Sequence, residues 1–168
     1  MSSGAAQAIV RRLEDAGIVT WFDGGWGVDA LLGRESRSHA DVDLVLDRGD
    51  LPRAIVVLRE VGFREDTSAF PGRPARVVLA RGFEVVDLHP VVFDEWGNGW
   101  QELGNSAWGL YPAAGLNGVG QIGGDSVRCL TAELQVRHHL GYPPSDADRT
   151  DLRALAVEYG VAIPPEWY

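Results

Sequence analysis

Between Trp21 and Asp47 the chain reads WFDGGWGVDALLGRESRSHADVDLVLD, a glycine pair followed by two aspartates, Asp41 and Asp43, set two apart in an apolar run. On a strand, residues two apart share a face, so Asp41 and Asp43 project together while Val42, Leu44 and Leu46 take the opposite, core-facing side. Carboxylates about 7 Å apart along a strand can converge on one hard cation, because Mg²⁺ takes oxygen ligands. A bare D-x-D is also what a solvated edge strand carries. A third acid, Asp87, sits in EVVDLHP, an aliphatic stretch in which an unpaired buried carboxylate would be costly. If its strand neighbours that of Asp41, three carboxylates meet at one point. Such a triad holds one or two divalent metals, which neutralise a nucleotide's phosphates and clamp the attacking and leaving oxygens. Gly24 and Gly25 suit the same chemistry, since a tight turn without side chains lets backbone N–H groups approach a phosphate at the start of the following helix.

The elements that must position these groups are legible in outline. Apolar spacing predicts a helix over Ala5–Ala16, with Ile9 and Leu13 on one face and Gly17 as its stop. IVTWFDGG reads as a short buried strand running into a glycine turn, Trp26–Gly33 as a short helix, and ADVDLVLD as a strand. A helix follows in DLPRAIVVLREVG, with Asp50 as N-cap, Pro52 in the first turn and Gly62 past the end. ARVVLAR and FEVVDLHPVVF read as antiparallel neighbours across a tight Arg81–Gly82 turn. Asp94–Gly124 is rich in Gly, Trp and Asn; short strands are expected around Ala107–Tyr111 and, just beyond it, Ser126–Cys129. Thr131 caps a helix ending near Gly141, and Ser145 with Asp148 has capping-box spacing for a last helix, Asp146–Tyr159. This order implies an α+β fold, a mixed sheet flanked by helices. Residues 1–93 form its core, and 94–168 a C-terminal extension of short strands and two helices packed into one compact unit.

Composition narrows the classes. The 168 residues suffice for one domain, and a hydrophobic content of 45% favours folding over disorder. The net charge of −9 argues against a protein that coats nucleic acid by neutralising phosphates. No apolar run approaches a membrane span and the N-terminus lacks a signal-peptide core, so no membrane partner is expected. Cys129 is the single cysteine, which excludes an intrachain disulfide and makes the reducing cytoplasm the expected location.

The blocks WFDGGWGVD, RSHADVD, VVDLHP and CLTAELQVRHHLGYPPSDADRTDL together resemble the nucleotidyltransferase superfamily with the DNA polymerase beta palm fold. Within it the chain is most similar to the small lincosamide nucleotidyltransferases, and next to the aminoglycoside 2''-adenylyltransferases. The resemblance covers most of the chain except Asp94–Gly124. It implies Mg²⁺-dependent transfer of a nucleoside monophosphate, from ATP or another NTP, to a hydroxyl of a small antibiotic-like acceptor, in a homodimer. Asp41 and Asp43 would bind the metal, and Asp87 would be a ligand, the base on the acceptor hydroxyl, or both. His89, on the same face as Asp87, is a second candidate base. Gly24, Gly25 and Trp26 would carry the triphosphate; Trp26 stands where many members have serine, leaving backbone contacts there. Arg37 and Arg76 match phosphate-facing arginines, whereas His39, Trp108 and Tyr142 are acceptor candidates. His139, Gly141, Asp148 and Asp151 also match the family, the two aspartates as capping and helix-packing residues. An aminoglycoside acceptor is the rival, and an antitoxin that modifies a protein partner a more distant one; the tail from Thr131 to Tyr168 counts against the latter.

Overall fold

The structure, a computed structural model, describes residues 1–67, 76–140 and 142–167. The N-terminal helix α1 (Ser3–Asp15) is capped by the Ser2 hydroxyl, which accepts from the Ala5 N–H, and it buries Ala6, Ile9, Val10 and Leu13 along one face. Strand β1 (Thr20–Asp23) leads directly into α2 (Gly24–Leu32), and β2 (Asp41–Asp47) is followed by α3 (Leu51–Glu60). The antiparallel pair β4 (Val77–Arg81) and β5 (Glu84–Phe93) turns through Gly82 and Phe83, one residue later than the sequence suggested, because Arg81 and Glu84 are still paired. Short β3 (Arg64–Glu65) lies beside β4. Two strands that the sequence did not yield supply hairpin partners: β6 (Gly99–Gly104) pairs with β7 (Ala107–Tyr111), and β8 (Gly118–Ile122) with β9 (Asp125–Cys129). Helices α4 (Ala132–His139) and α5 (Asp146–Tyr159) complete the chain. Helix α4 ends at His139, close to the end expected near Gly141.

Among the described residues the sheet runs β3-β4-β5-β2-β1-β9-β8, with the β6–β7 hairpin continuing from the end of β5. It is mixed: β2 runs parallel to β5 and β1 parallel to β9, while the other pairs are antiparallel. Val42, Leu44 and Leu46 are fully buried in one cluster with Leu13, Ala54 and Leu58 of α1 and α3, so this face of β2 is core, as its alternation requires. A second cluster joins α2, α4 and α5 through Val28, Val136, Leu152 and Leu155. On the opposite face of the sheet, Val45 is buried with Val91, Tyr111 and Leu134, which closes that face at one end and leaves it open at the end bearing the carboxylates.

Cap chemistry departs from expectation at two helices. Asp50 makes no side-chain cap for α3 and pairs with Arg53 at 3.0 Å instead; Asp47 caps the preceding 3₁₀ turn through the Gly49 N–H. Thr131 occupies the N-cap of α4 without a side-chain cap bond. At α5 the Ser145–Asp148 capping box is present in both directions.

Candidate active site

Parallel pairing in register sets Asp43 of β2 opposite Asp87 of β5, and antiparallel pairing sets Asp23 of β1 opposite Asp43. The adjacency on which a three-carboxylate reading depends is therefore built by the sheet. His89, two residues along β5, reaches the same floor. Its Nδ1 is 3.2 Å from Asp23 Oδ2, and its Nε2 is 3.5 Å from both Asp43 Oδ1 and Asp87 Oδ1. Arg76 donates to Asp87 Oδ2 and lies 3.5 Å from Asp43 Oδ1. Asp43, Asp87 and His89 each offer a ligand atom within 4.8 Å of the others. Asp41 lines the same cleft but stands outside that close group.

Burial and crowding separate the charges of these groups. Burial pushes Asp43 up to about 7, and the negative charges of Asp41, Asp23 and Asp87 add to this against the pull of His89. Burial alone would also raise Asp87 and Asp23, yet both are held below the ordinary carboxylate range, Asp87 by His89 and Arg76 and Asp23 by His138 and His89. Burial would lower His89, but Asp23, Asp87 and Asp43 outweigh it and hold the ring up at about 10. The floor thus concentrates more negative charge than its resident cations relieve. Asp87 Oδ1 and His89 Nε2 are both buried there without a hydrogen-bond partner. Carboxylate oxygens facing an unmet polar atom suit a divalent cation.

Helix α2 begins at Gly24, two residues earlier than its sequence pattern suggested, because Asp23 takes the N-cap and accepts the Gly24 N–H at 2.7 Å. Gly24 has φ +55°, and a Cβ there would strike Asp43 Oδ2, so glycine is required twice over. The positive end of α2 consequently abuts the carboxylate floor. A Cβ on Gly25 would strike Arg37 and approach His39 Nδ1 to 2.6 Å. Both side chains lie against the glycine and are anchored from elsewhere. Arg37 forms a bidentate pair with the fully buried Asp151 of α5, at 2.8 and 2.6 Å, and His39 Nε2 is 2.5 Å from Asp29 Oδ2. Trp26 is buried in the core and its ring stacks at a tilt on His39, 4.3 Å between centroids. Its indole is turned away from the cleft, whose lining contains Gly24, Gly25 and Arg37 but neither Trp26 nor His39.

The cleft has a volume of about 960 Å³. Hairpin β6–β7 forms one wall with Gln101, Leu103, Asn105 and Tyr111; the end of α4 and the residues after it form the other with His138, Leu140 and Tyr142. Trp108 is exposed on β7 and does not line the cleft, whereas Tyr142 does, with its hydroxyl 3.5 Å from Asp148. Asp151 does more than pack a helix, since it fixes Arg37. Asp23, Asp29 and His138 are additions to the residues singled out from sequence. Asp29 carried a readable signal, a carboxylate inside the apolar GVDALL, which is the logic applied to Asp87.

A family model of aminoglycoside-2''-adenylyltransferases matches residues 6–155. A lincosamide resistance protein of Staphylococcus haemolyticus is 27% identical over 150 residues, covering 88% of this chain and 89% of that one. A 2''-aminoglycoside nucleotidyltransferase of Klebsiella pneumoniae is 30% identical over 145 residues, covering 82% of this chain and 75% of that one. Among solved structures, lincomycin-bound lincosamide adenylyltransferase LnuA superposes with a TM-score of 0.77 at 24% identity, over 89% of this chain and 93% of its own. ANT(2'')-Ia in complex with adenylyl-2''-tobramycin gives 0.71 at 20% identity, over 94% and 89%. The superposition shows the shared fold, and the family model with the curated relatives makes this an enzyme of the nucleotidyltransferase class. The chain belongs to the aminoglycoside-2''-adenylyltransferase family of antibiotic-modifying nucleotidyltransferases. Among its described residues no helix is long and apolar enough to cross a membrane.

Proposed function

We propose that this enzyme moves AMP from ATP to a hydroxyl of a lincosamide, with pyrophosphate leaving. The observation that carries the reading is the in-register pairing of Asp43 with Asp87 beside the positive end of α2. Asp41, Asp43 and Asp87 would hold Mg²⁺, whose charge would neutralise the triphosphate and the developing alkoxide. The chain's own groups do the rest. The backbone N–H of Gly25 would face the phosphates, with Arg37 against that glycine, while the Gly24 N–H stays with Asp23 and Gly24 contributes a surface free of side chain. Arg76 exchanges Asp87 for the triphosphate, which uncovers Asp87 Oδ2 to accept the acceptor's proton as its oxygen attacks the α-phosphorus in line.

The walls favour a lincosamide. Beyond the floor, Asp148 is the one acid among the described lining residues, and it is engaged by Ser145. Arg137, His138 and His139 line the same side, an arrangement poorly suited to a polycation. An aminoglycoside acceptor is the second reading, favoured by the family model. Residues 1–93 would form the catalytic floor and 94–168 the acceptor walls of one unit, and the family resemblance supports a homodimer with the acceptor site near its interface. A thermal-shift screen of both antibiotic classes with MgATP, followed by mass spectrometry, tests the proposal. The expected result is a lincosamide heavier by one adenylyl group, that is, by AMP less one water. Modification of aminoglycosides alone would transfer the assignment to the second reading, and no modified antibiotic of either class would refute both.

A further inference from the structure

We propose that His89 is itself a ligand of the catalytic cation, oriented by Asp23, so that the site binds metal through one imidazole nitrogen as well as carboxylates. The inference rests on the metal-assisted reading above and adds a donor to it. His89 Nε2 is 3.5 Å from both Asp43 Oδ1 and Asp87 Oδ1, close to the separation of about 3 Å between adjacent ligands of an octahedral ion bound at 2.0–2.1 Å. The Asp87 side chain is 3% exposed, its Oδ1 has no hydrogen-bond partner, and that atom faces the ring. His89 Nε2 makes no hydrogen bond of good geometry either and meets Asp43 and Asp87 only at 3.5 Å. In the metal-free chain a proton on Nε2 faces these carboxylates, and a cation bound there takes that proton's place.

The other ring nitrogen is already engaged. Nδ1 lies 3.2 Å from Asp23 Oδ2, and Asp23 is fixed in turn as the N-cap of α2. A histidine that ligates metal through one nitrogen commonly gives the other to a carboxylate, which fixes the tautomer and the ring plane. Asp23 is therefore a positioning residue, and its place at the end of β1 ties ring orientation to the glycine helix. Asp41, outside the close group, faces the cleft, where a second cation or the nucleotide would meet it. An imidazole donor shifts preference towards a transition ion such as Mn²⁺ or Co²⁺ relative to Mg²⁺.

Electron spin-echo modulation of Mn²⁺ added to the nucleotide-free protein tests the ligand set directly. A second sample contains inorganic pyrophosphate, which has no nitrogen of its own. The wild-type chain is expected to show a directly bound imidazole nitrogen in at least one sample. That coupling disappears in His89→Asn and in His89→Gln, the latter prepared in case the former does not fold. Asp23→Asn is expected to weaken Mn²⁺ binding by about 10–100-fold, and titration calorimetry of wild type to show Mn²⁺ binding at least about tenfold tighter than Mg²⁺. Bound Mn²⁺ with nitrogen coupling in neither sample overturns the inference, as does coupling that survives loss of His89 or failure of both samples to take up Mn²⁺. Carboxylate-only coordination would leave the transfer reaction standing, and a failed antibiotic screen would leave the spectra as measured, so the two readings fall separately.

Discussion

Asp87 lies beneath Arg76 and is 2% exposed, so in the proposed reaction an acceptor would reach it only once the guanidinium had moved to the triphosphate. Replacement by asparagine removes both a charge on the floor and the proposed proton acceptor. We expect Asp87→Asn to lower turnover at least about 100-fold, and His89→Asn by less, with MgATP binding partly retained in Asp87→Asn. Steady-state kinetics with direct nucleotide titration checks this, and the reverse ranking would exchange the two roles. Asp41→Asn and Asp43→Asn are each expected to abolish transfer with the fold intact, since each removes an anionic donor; near-normal turnover in saturating Mg²⁺ would refute the assignment. Asp43 has a second consequence. Its folded pKa of about 7 lies above the ordinary 3.8, so ionising it costs stability as pH rises through that window. Metal-free Asp43→Asn should therefore melt above wild type, by a margin that widens from pH 4 to pH 7.

At the scale of elements, hairpin β6–β7 and helix α5 build the site from outside the motif. The hairpin is anchored at its base by Asp94, whose carboxylate accepts from the Trp96 and Asn98 N–H groups, from Asn98 Nδ2 and from Trp100 Nε1. Led by Trp100, these bonds hold Asp94 down at about 2. A depressed folded pKa gives stability that is complete above the ordinary value of 3.8 and lost as pH falls towards 2. The melting-temperature gap between wild type and Asp94→Asn should accordingly narrow across that interval. Helix α5 acts through Asp151. Arg37→Ala would strand a buried carboxylate, and urea denaturation is expected to show a loss on the order of 3 kcal/mol. Much of this level was unreadable for a physical reason. Strand β7 was expected near its place, but β6, GWQELG, has two glycines and no β-branched residue. The turns themselves left a trace, because Asn105–Ser106 and Gly123–Gly124 all have positive φ, as two-residue hairpin turns between twisted strands require.

For the molecule as a whole, the carboxylates of the candidate site were more legible than the residues that support them. Local alternation and an aliphatic setting singled out Asp41, Asp43 and Asp87, and the family's motifs carried Gly24, Gly25 and Arg76. No local pattern could show that Asp23 faces His89 or that Asp151 reaches Arg37, because those contacts depend on register and on long-range packing. A metal-bridged nucleotide that binds only the folded chain should raise its melting temperature by mass action. We expect MgATP to do so and ATP with a chelator to do so much less; equal shifts would argue against a bridging cation. One feature of the sheet bears on how the protein is made. Strand β1 lies between β2 and β9, and Phe22 waits for Cys129 before its second edge is paired. On the ribosome the glycine motif and both β2 aspartates emerge early, but that edge stays open until most of the chain has been synthesised. A nascent chain stalled before β9 would present a hydrophobic strand edge to chaperones, so mutations that slow translation or weaken the β8–β9 hairpin should reduce yield of soluble enzyme without touching a single residue of its chemistry.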